Sequence, residues 1–197
     1  SKAYKEIGFA AKNTSPCMEI SGKTVGVVGL GKIGTRFAKM CLYGFGMEVL
    51  AYDPYVKEVP EEFKSFVTLS SIDEIIKNAD IISMHLPLTD ETRDMISAKE
   101  MAAMKEGAYI INTARGGIVN EHDLYEAVKS GHIAGAALDV SEQEPMAEDN
   151  PLRTLENVII TPHIGMYSKE AIGAVSLICA QNAAAKIEGK ELQFQVV

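Results

Sequence analysis

The sequence is short of several things, and each shortage narrows what the chain can be. No apolar run approaches the roughly 18 residues that a membrane-crossing helix requires. The start, SKAYKEIGFAAKN, lacks the apolar stretch of a secretory leader. Basic residues are in deficit: 19 Lys and Arg face 27 Asp and Glu, for a net charge of −8. A chain so charged has no broad basic face, so neither nucleic acid nor a membrane surface is an expected partner. Only three cysteines occur, Cys17, Cys41 and Cys179, odd in number and far apart. Such spacing suits neither a disulfide framework nor a metal site, so no metal is expected and a reducing cytoplasm is the expected compartment. There is no internal repeat and no low-complexity tract.

What is present is an ordinary globular composition. The chain is 47% hydrophobic and 23% charged over 197 residues, enough for one large domain or two small ones. Residues 1–13 read as a short helix, followed by a connector holding Pro16 and Gly22. A β-branched run, Thr24 to Val28, reads as the first strand. KIGTRFAKMCLYGFG then has helical spacing, with Ile33, Phe37, Met40 and Cys41 on one side and Gly44 and Gly46 at its end. MEVLAYD reads as a strand, as do residues 79–86, 108–114, 133–140 and 157–163. Helices read at 71–78, 97–104 and 121–130, and a long last helix at 167–188. Strands that are apolar throughout and alternate with helices predict a parallel sheet covered on both faces, a doubly wound α/β domain of Rossmann type.

The strands share one property. Each ends in polar or reactive residues: Asp53, His85, Thr113 with Arg115, Asp139, and Thr161 with His163. In an open parallel sheet the ligand crevice lies at the carboxyl ends of the strands, so the topology delivers these residues to one rim.

GLGKIG, Gly29 to Gly34, fits G-x-G-x-x-G between a strand and a helix, with an acid about 20 residues further on. Gly29 would permit the tight turn, Gly31 would let a pyrophosphate approach, and Gly34 would let helix and strand pack closely. The helix N-terminus offers unpaired N–H groups and a partial positive charge. A carboxylate at Asp53 can accept both hydroxyls of an adenosine ribose and would repel a 2′-phosphate, which predicts NAD over NADP. The alternative is that Asp53 serves only the turn before Pro54.

Three further pieces stand out: Arg115 in TARGG, Glu144 in LDVSEQEP and His163 in TPHIG. With GLGKIG and HLPLT (85–89), they resemble the D-isomer-specific 2-hydroxyacid dehydrogenase family, over about Gly22 to Gly189, in a form similar to phosphoglycerate dehydrogenases. The chemistry suits the residue types. Arg115 can grip a substrate carboxylate with its planar fork. Gly116 and Gly117 would leave space beside it. His163 can give or take the proton at the reacting oxygen near neutral pH.

The resemblance implies that Glu144 pairs with His163 and that Asp139 meets the nicotinamide carboxamide. It extends the cofactor contacts to Lys32, Ile33, Pro54, His85, Leu86, Pro87, Thr92, Thr113, Ala114, Arg115, His163 and Gly165. Plainer readings stay open: Arg115 as a surface residue at a helix entry, Glu144 as part of an acidic loop with Glu142, Glu148 and Asp149, and His163 as a cap. His122 and His132 read as surface residues, and His85 as a crevice residue without a proton-transfer role.

Glutamate rather than glutamine at Glu144 disfavours formate as substrate, whereas phosphite-oxidising relatives keep all three residues. GMYS after His163 departs from the small residue and threonine common in the family, at Met166 and Ser168. The implied activity is hydride transfer between NAD and a D-2-hydroxy or 2-oxo acid, with 3-phosphoglycerate among the acids. An NAD(H)-sensing scaffold resembling the corepressors of this family is the alternative. Family members insert the nucleotide domain in a substrate domain. Here 1–197 reads as the nucleotide domain alone, with 1–21 and 189–197 as connecting segments, so NAD binding with poor turnover is expected. A homodimer through the glycine-motif helix and the tail helix is also expected.

Overall fold

The computed structural model describes residues 18–194 apart from 60, 62, 63, 65 and 66. The helix expected at 1–13 lies outside the described residues. Seven strands form one sheet: β1 (Thr24–Val28), β2 (Glu48–Tyr52), β3 (Val67–Leu69), β4 (Ile81–Met84), β5 (Ala108–Asn112), β6 (Ile133–Leu138) and β7 (Val158–Ile160). Their order is β3-β2-β1-β4-β5-β6-β7, and each adjacent pair is parallel. The chain leaves β1 in one direction and returns to the other side of β1 with β4. That reversal is the switch point at which doubly wound sheets bind ligands.

Among the described residues, five α-helices connect or follow the strands: α1 (Lys32–Phe45), α2 (Ile72–Asn78), α3 (Ala98–Ala103), α4 (Glu121–Ser130) and α5 (Lys169–Ile187). Two cores result. On one face Ala38 and Cys41 of α1 pack against Val25 and Val27 of β1 and Val49 of β2. On the other, α2, α3 and α4 bring Ile75, Met101 and Leu124 against Ile82, Ile110 and Ile133. Each such fully buried aliphatic side chain contributes roughly 1.5–3 kcal/mol from water exclusion. Local signals fix the helix ends. Ser71 and Glu74 cap α2 reciprocally, at 3.2 and 3.0 Å. Asn120 caps α4 through the Asp123 N–H, and Gly131 ends it at φ 85°.

The sequence reading needs correction at four places. Strand β3 was not foreseen, because only three residues pair there. A 3₁₀ turn at Pro151–Thr154, capped by Asn150, was also missed. The buried side of α1 is Gly34, Ala38 and Cys41, while Ile33 and Met40 are 71% and 58% exposed. Close approach decides this: Gly34 must lie against the carbonyl of Gly29, so the helix turns its smallest residues inward. Finally, His132 is half-buried, with its Nε2 3.0 Å from the Met101 carbonyl oxygen.

Helix α5 is capped by Ser168, whose hydroxyl accepts the Ala171 N–H at 3.0 Å, yet none of its 19 residues is buried. The segment after it folds back through two Asn182–Gln193 hydrogen bonds of 2.9 Å. Phe194 thereby lies under Lys32, with the ammonium 4.9 Å from the ring centre. No helix of the described residues is long and apolar enough to cross a membrane.

Candidate active site

The glycine turn joins β1 to α1. Gly29 adopts φ 105° and donates to the Tyr52 carbonyl at 2.7 Å, and a Cβ there would come within 2.7 Å of the His85 main chain. Any other residue would push β1 from β4. A Cβ on Gly34 would meet the Gly29 carbonyl oxygen, whereas one on Gly31 would meet nothing within 4 Å. The space above Gly31 is therefore open, at the start of a 14-residue helix whose first turn carries no side-chain cap and no acid. These features fit a pyrophosphate, for which N–H groups and helix dipole are left free. Lys32 and Ile33 stand exposed on the same turn.

Asp53 follows β2. One carboxylate oxygen accepts the Leu30 N–H at 2.8 Å and the other the Tyr55 N–H at 2.9 Å. It thus closes the turn before Pro54 and also ties the end of β2 to the glycine turn, which places a half-exposed carboxylate beside that turn. Pro54 is exposed next to it.

His85 follows β4. Its ring lies 5.1 Å from the Phe37 ring centre, and Nε2 is 3.0 Å from the Ser83 hydroxyl. Burial pushes its pKa down to about 4, so it is neutral at pH 7, in keeping with a wall rather than a proton carrier. Leu86 is buried and Pro87 exposed. Thr92 is turned inward: its hydroxyl donates to the Pro87 carbonyl at 2.7 Å and accepts the Thr89 N–H at 2.8 Å. What the structure describes for Thr92 is a brace of the 87–92 loop.

Arg115 follows β5 on a tight corner. Thr113 and Arg115 are exposed and Ala114 half-buried. The guanidinium donates to the Ala114 carbonyl at 2.7 Å. Contrary to the expectation from sequence, Gly116 does not open space beside Arg115. A Cβ there would collide with the Ser141 carbonyl, so its bareness lets the Arg115 corner cross the loop that carries Glu144. Gly117 turns left-handed at φ 81°, with Arg93 and Leu88 against it.

Glu144 and Glu142 looked alike in sequence, and the structure separates them. Glu142 and Glu121 exchange main-chain hydrogen bonds, each carboxylate accepting the other's N–H at 3.0 and 2.6 Å. Glu121 also accepts from the Asn150 amide at 2.7 Å, so the loop is held at both ends. That leaves Glu144, whose carboxylate lies 2.8 Å from His163 Nδ1. The His163 hydrogen bond holds the Glu144 carboxyl below its ordinary range, and the Ser141 N–H and the charges of His163 and Arg115 act the same way. Arg115, Glu144 and His163 thus share one electrostatic neighbourhood. A cavity of about 630 Å³ adjoins it, bounded by Glu144, Pro145, Met146, Arg153, Thr161 and His163.

His163 stands in the left-handed region at φ 54°, which costs a non-glycine residue on the order of 1 kcal/mol or more. Asp139 supports it. Its buried carboxylate accepts from the Thr161 hydroxyl and from the consecutive N–H groups of Ile164, at 2.9 Å, and Gly165, at 2.8 Å. Burial by itself would raise the Asp139 pKa, but these donors outweigh it and hold the group below its ordinary value. Both Asp139 oxygens serve this loop. A nicotinamide contact would use their remaining lone pairs. At the residues where the family pattern breaks, Ser168 caps α5 and Met166 is 50% exposed.

Sequence reasoning missed Asn112, the last residue of β5. Its Oδ1 accepts the Ala114 N–H at 3.0 Å, and its Nδ2 donates to the Arg115 carbonyl at 2.9 Å. The signal was available: an asparagine at the end of an apolar strand, two residues before the corner, is a turn-forming pattern. Among the described residues no group of three or more His, Cys, Asp or Glu side chains could hold a metal ion.

Comparisons with known proteins identify the family. Residues 1–165 match the family described as D-isomer specific 2-hydroxyacid dehydrogenase, NAD binding domain. The D-3-phosphoglycerate dehydrogenase of Methanocaldococcus jannaschii is 46% identical over 180 residues, which cover 91% of this chain and 34% of that protein. The crystal structure of a glyoxylate reductase from Paecilomyes thermophila superposes with a TM-score of 0.88 at 34% identity, over 99% of this chain and 58% of that one. That of D-lactate dehydrogenase with NAD+ from Lactobacillus jensenii gives 0.85 at 32% identity, over 98% and 62%. The chain spans about a third of the length of the first of these relatives and about three fifths of the two solved chains. Glycine turn, Asp53 and the Arg115, Glu144 and His163 cluster stand where the sheet topology calls for a ligand, and the chain belongs to the D-isomer-specific 2-hydroxyacid dehydrogenase family as its NAD-binding domain.

Proposed function

We propose that the protein carrying this chain transfers a hydride between NAD and a small D-2-hydroxy or 2-oxo acid. The observation that carries the reading is the 2.8 Å contact between His163 Nδ1 and Glu144, with the Arg115 charge acting on the same carboxylate. When bound, NAD(H) supplies or accepts the hydride. Arg115 holds the substrate carboxylate with its fork and polarises the neighbouring carbonyl. Glu144 occupies Nδ1 of His163, which leaves Nε2 for the substrate oxygen. The Glu144 carboxylate fixes the orientation of the ring. His163 then donates its proton to the oxygen in reduction and takes it back in oxidation. Around the cofactor, Gly29, Gly31, Gly34 and the N-terminus of α1 seat the pyrophosphate, and Asp53 takes the ribose hydroxyls. Lys32, Ile33, Pro54, His85, Leu86, Pro87, Thr113, Ala114, Asp139 and Gly165 line the remainder, with Thr92 bracing it from within.

The acids named for the relatives, 3-phosphoglycerate, glyoxylate and lactate, are the first to try. Residues 1–21 and 189–197 are proposed to lead to a substrate domain that completes the cleft, in a cytoplasmic protein. Met40, Tyr43 and Phe45 of α1 and Val175 and Leu177 of α5 are each more than 40% exposed, which supports a homodimer through this domain. The test uses Arg115→Ala and His163→Ala in the full-length protein with NADH and each acid. Turnover should fall by on the order of 10²-fold or more while NAD binding persists. Retained turnover in both variants would refute the assignment.

A further inference from the structure

Asn112 is 2% exposed at the last position of β5. In the sheet it pairs with Met84 on one side and Leu138 on the other, both buried and apolar. A strand end in that setting has no need of an amide, and burying one costs desolvation unless its polar atoms are bonded. Both ends of the amide are bonded, and both to the Arg115 corner: Oδ1 to the Ala114 N–H and Nδ2 to the Arg115 carbonyl, at 3.0 and 2.9 Å. The Asn112 main-chain carbonyl accepts the Asp139 N–H at 2.9 Å. Asp139 in turn holds Thr161, Ile164 and Gly165 around His163.

We infer that Asn112 is a positioning residue: its amide fixes where the Arg115 side chain begins, and its carbonyl registers that corner against the loop bearing His163. The inference rests on the proposed role of Arg115. The guanidinium is exposed and its bond to the Ala114 carbonyl is local, so its origin is set by the main chain that Asn112 holds.

The two arms of the amide can be separated. Asn112→Ala removes both. Asn112→Asp keeps an acceptor for Ala114 but sets a carboxylate oxygen against the Arg115 carbonyl. Each variant would be made in the full-length protein, alone and combined with Arg115→Ala. Reduction of glyoxylate by NADH, NAD affinity and thermal melting would be followed. Both single variants should lower kcat/KM by on the order of 10²-fold, the usual cost of a misplacement of about 1 Å. NAD affinity should change far less, because the glycine turn and Asp53 that seat the cofactor are untouched. In the Arg115→Ala background the same substitutions should add less than about a twofold loss, because pairs that act as a unit are not additive.

Equal losses in the two backgrounds, or a parallel loss of NAD affinity, would overturn the inference. If Asn112→Ala fails to fold, Asn112→Asp carries the test, since it retains the Ala114 bond. A wild-type protein that turns over none of the acids would overturn the proposed function instead. The Asn112 inference is then decided by crystal structures: an Arg115 Cα unmoved in Asn112→Asp overturns it, and a shift of about 1 Å upholds it.

Discussion

Replacing Gly31 by alanine separates the cofactor seat from the fold. Gly31 has φ −65° and ψ −170°, a backbone that alanine adopts without strain, and a Cβ there meets nothing within 4 Å. Two small stability effects oppose each other. Removing glycine flexibility from the unfolded chain stabilises by about 0.4–1 kcal/mol. Alanine is a poorer N-cap than glycine by a similar amount. The net change in melting temperature should stay within about 2 °C for a domain of this size. NAD affinity should nevertheless fall at least about tenfold, because the methyl group occupies the space through which the pyrophosphate approaches.

Gly29→Ala is the contrast. Its φ of 105° and the 2.7 Å approach to His85 combine backbone strain of about 1–3 kcal/mol with overpacking of similar size. Melting should drop by roughly 4–20 °C, and NAD binding with it. Differential scanning fluorimetry and a fluorescence titration with NADH read both variants. Wild-type NAD affinity in Gly31→Ala would refute the reasoning, as would a melting drop as large as that of Gly29→Ala.

Two further outcomes follow from the charged groups. Glu144→Gln replaces the carboxylate that holds His163 Nδ1 at 2.8 Å, so kcat/KM for 2-oxo acid reduction should fall at least about tenfold while NAD affinity holds; unchanged turnover would count against the pair. In the wild type the pairing should persist down to a pH below 4.5, since the Glu144 pKa lies under that ordinary value. Asp139 likewise has a folded pKa below 3.8, so its contribution is complete above that value and is lost as pH falls through the lower folded one. Asp139→Asn should cost on the order of 2–3 kcal/mol at pH 7 and progressively less below about pH 3.8, as read from melts across pH. A cost that stays constant with pH would show that the charge is not what holds the His163 loop.

Most of the fold was legible because periodicity and glycine carry it. Strands β1, β2, β4, β5, β6 and β7 read correctly from apolar runs, trimmed by at most three residues at an end. β3 did not, because its three residues gain strand character only from pairing with β2. The inward side of α1 misled for a related reason: apolarity pointed to Ile33 and Met40, but the contact is governed by how closely Gly34 can approach Gly29. At the site, Arg115 and His163 were readable from their unusual setting beside buried strands. The choice of Glu144 over Glu142 was not readable from composition, since it depends on which carboxylate Glu121 already occupies. Asn112, the bracing role of Thr92 and the supporting part of Asp139 went unread because most of their partners are main-chain atoms, which sequence does not display.

The neighbour order β5, β6, β7 sets a ruler for the chemistry. Parallel strands lie about 4.8 Å apart, so Arg115 and His163 spring from strands separated by about 10 Å, with Glu144 and Asp139 rising from the strand between. Under the proposed function, two side chains reaching over that middle strand would leave room for a carboxylate and the carbon bearing oxygen next to it, a spacing that the sheet holds fixed. On the proposed chemistry, the first two carbons of the substrate are dictated by hydrogen-bonded backbone, and whatever lies beyond the second carbon is not. A frame of that kind can serve acids as unlike as lactate and phosphoglycerate without a change in its own dimensions.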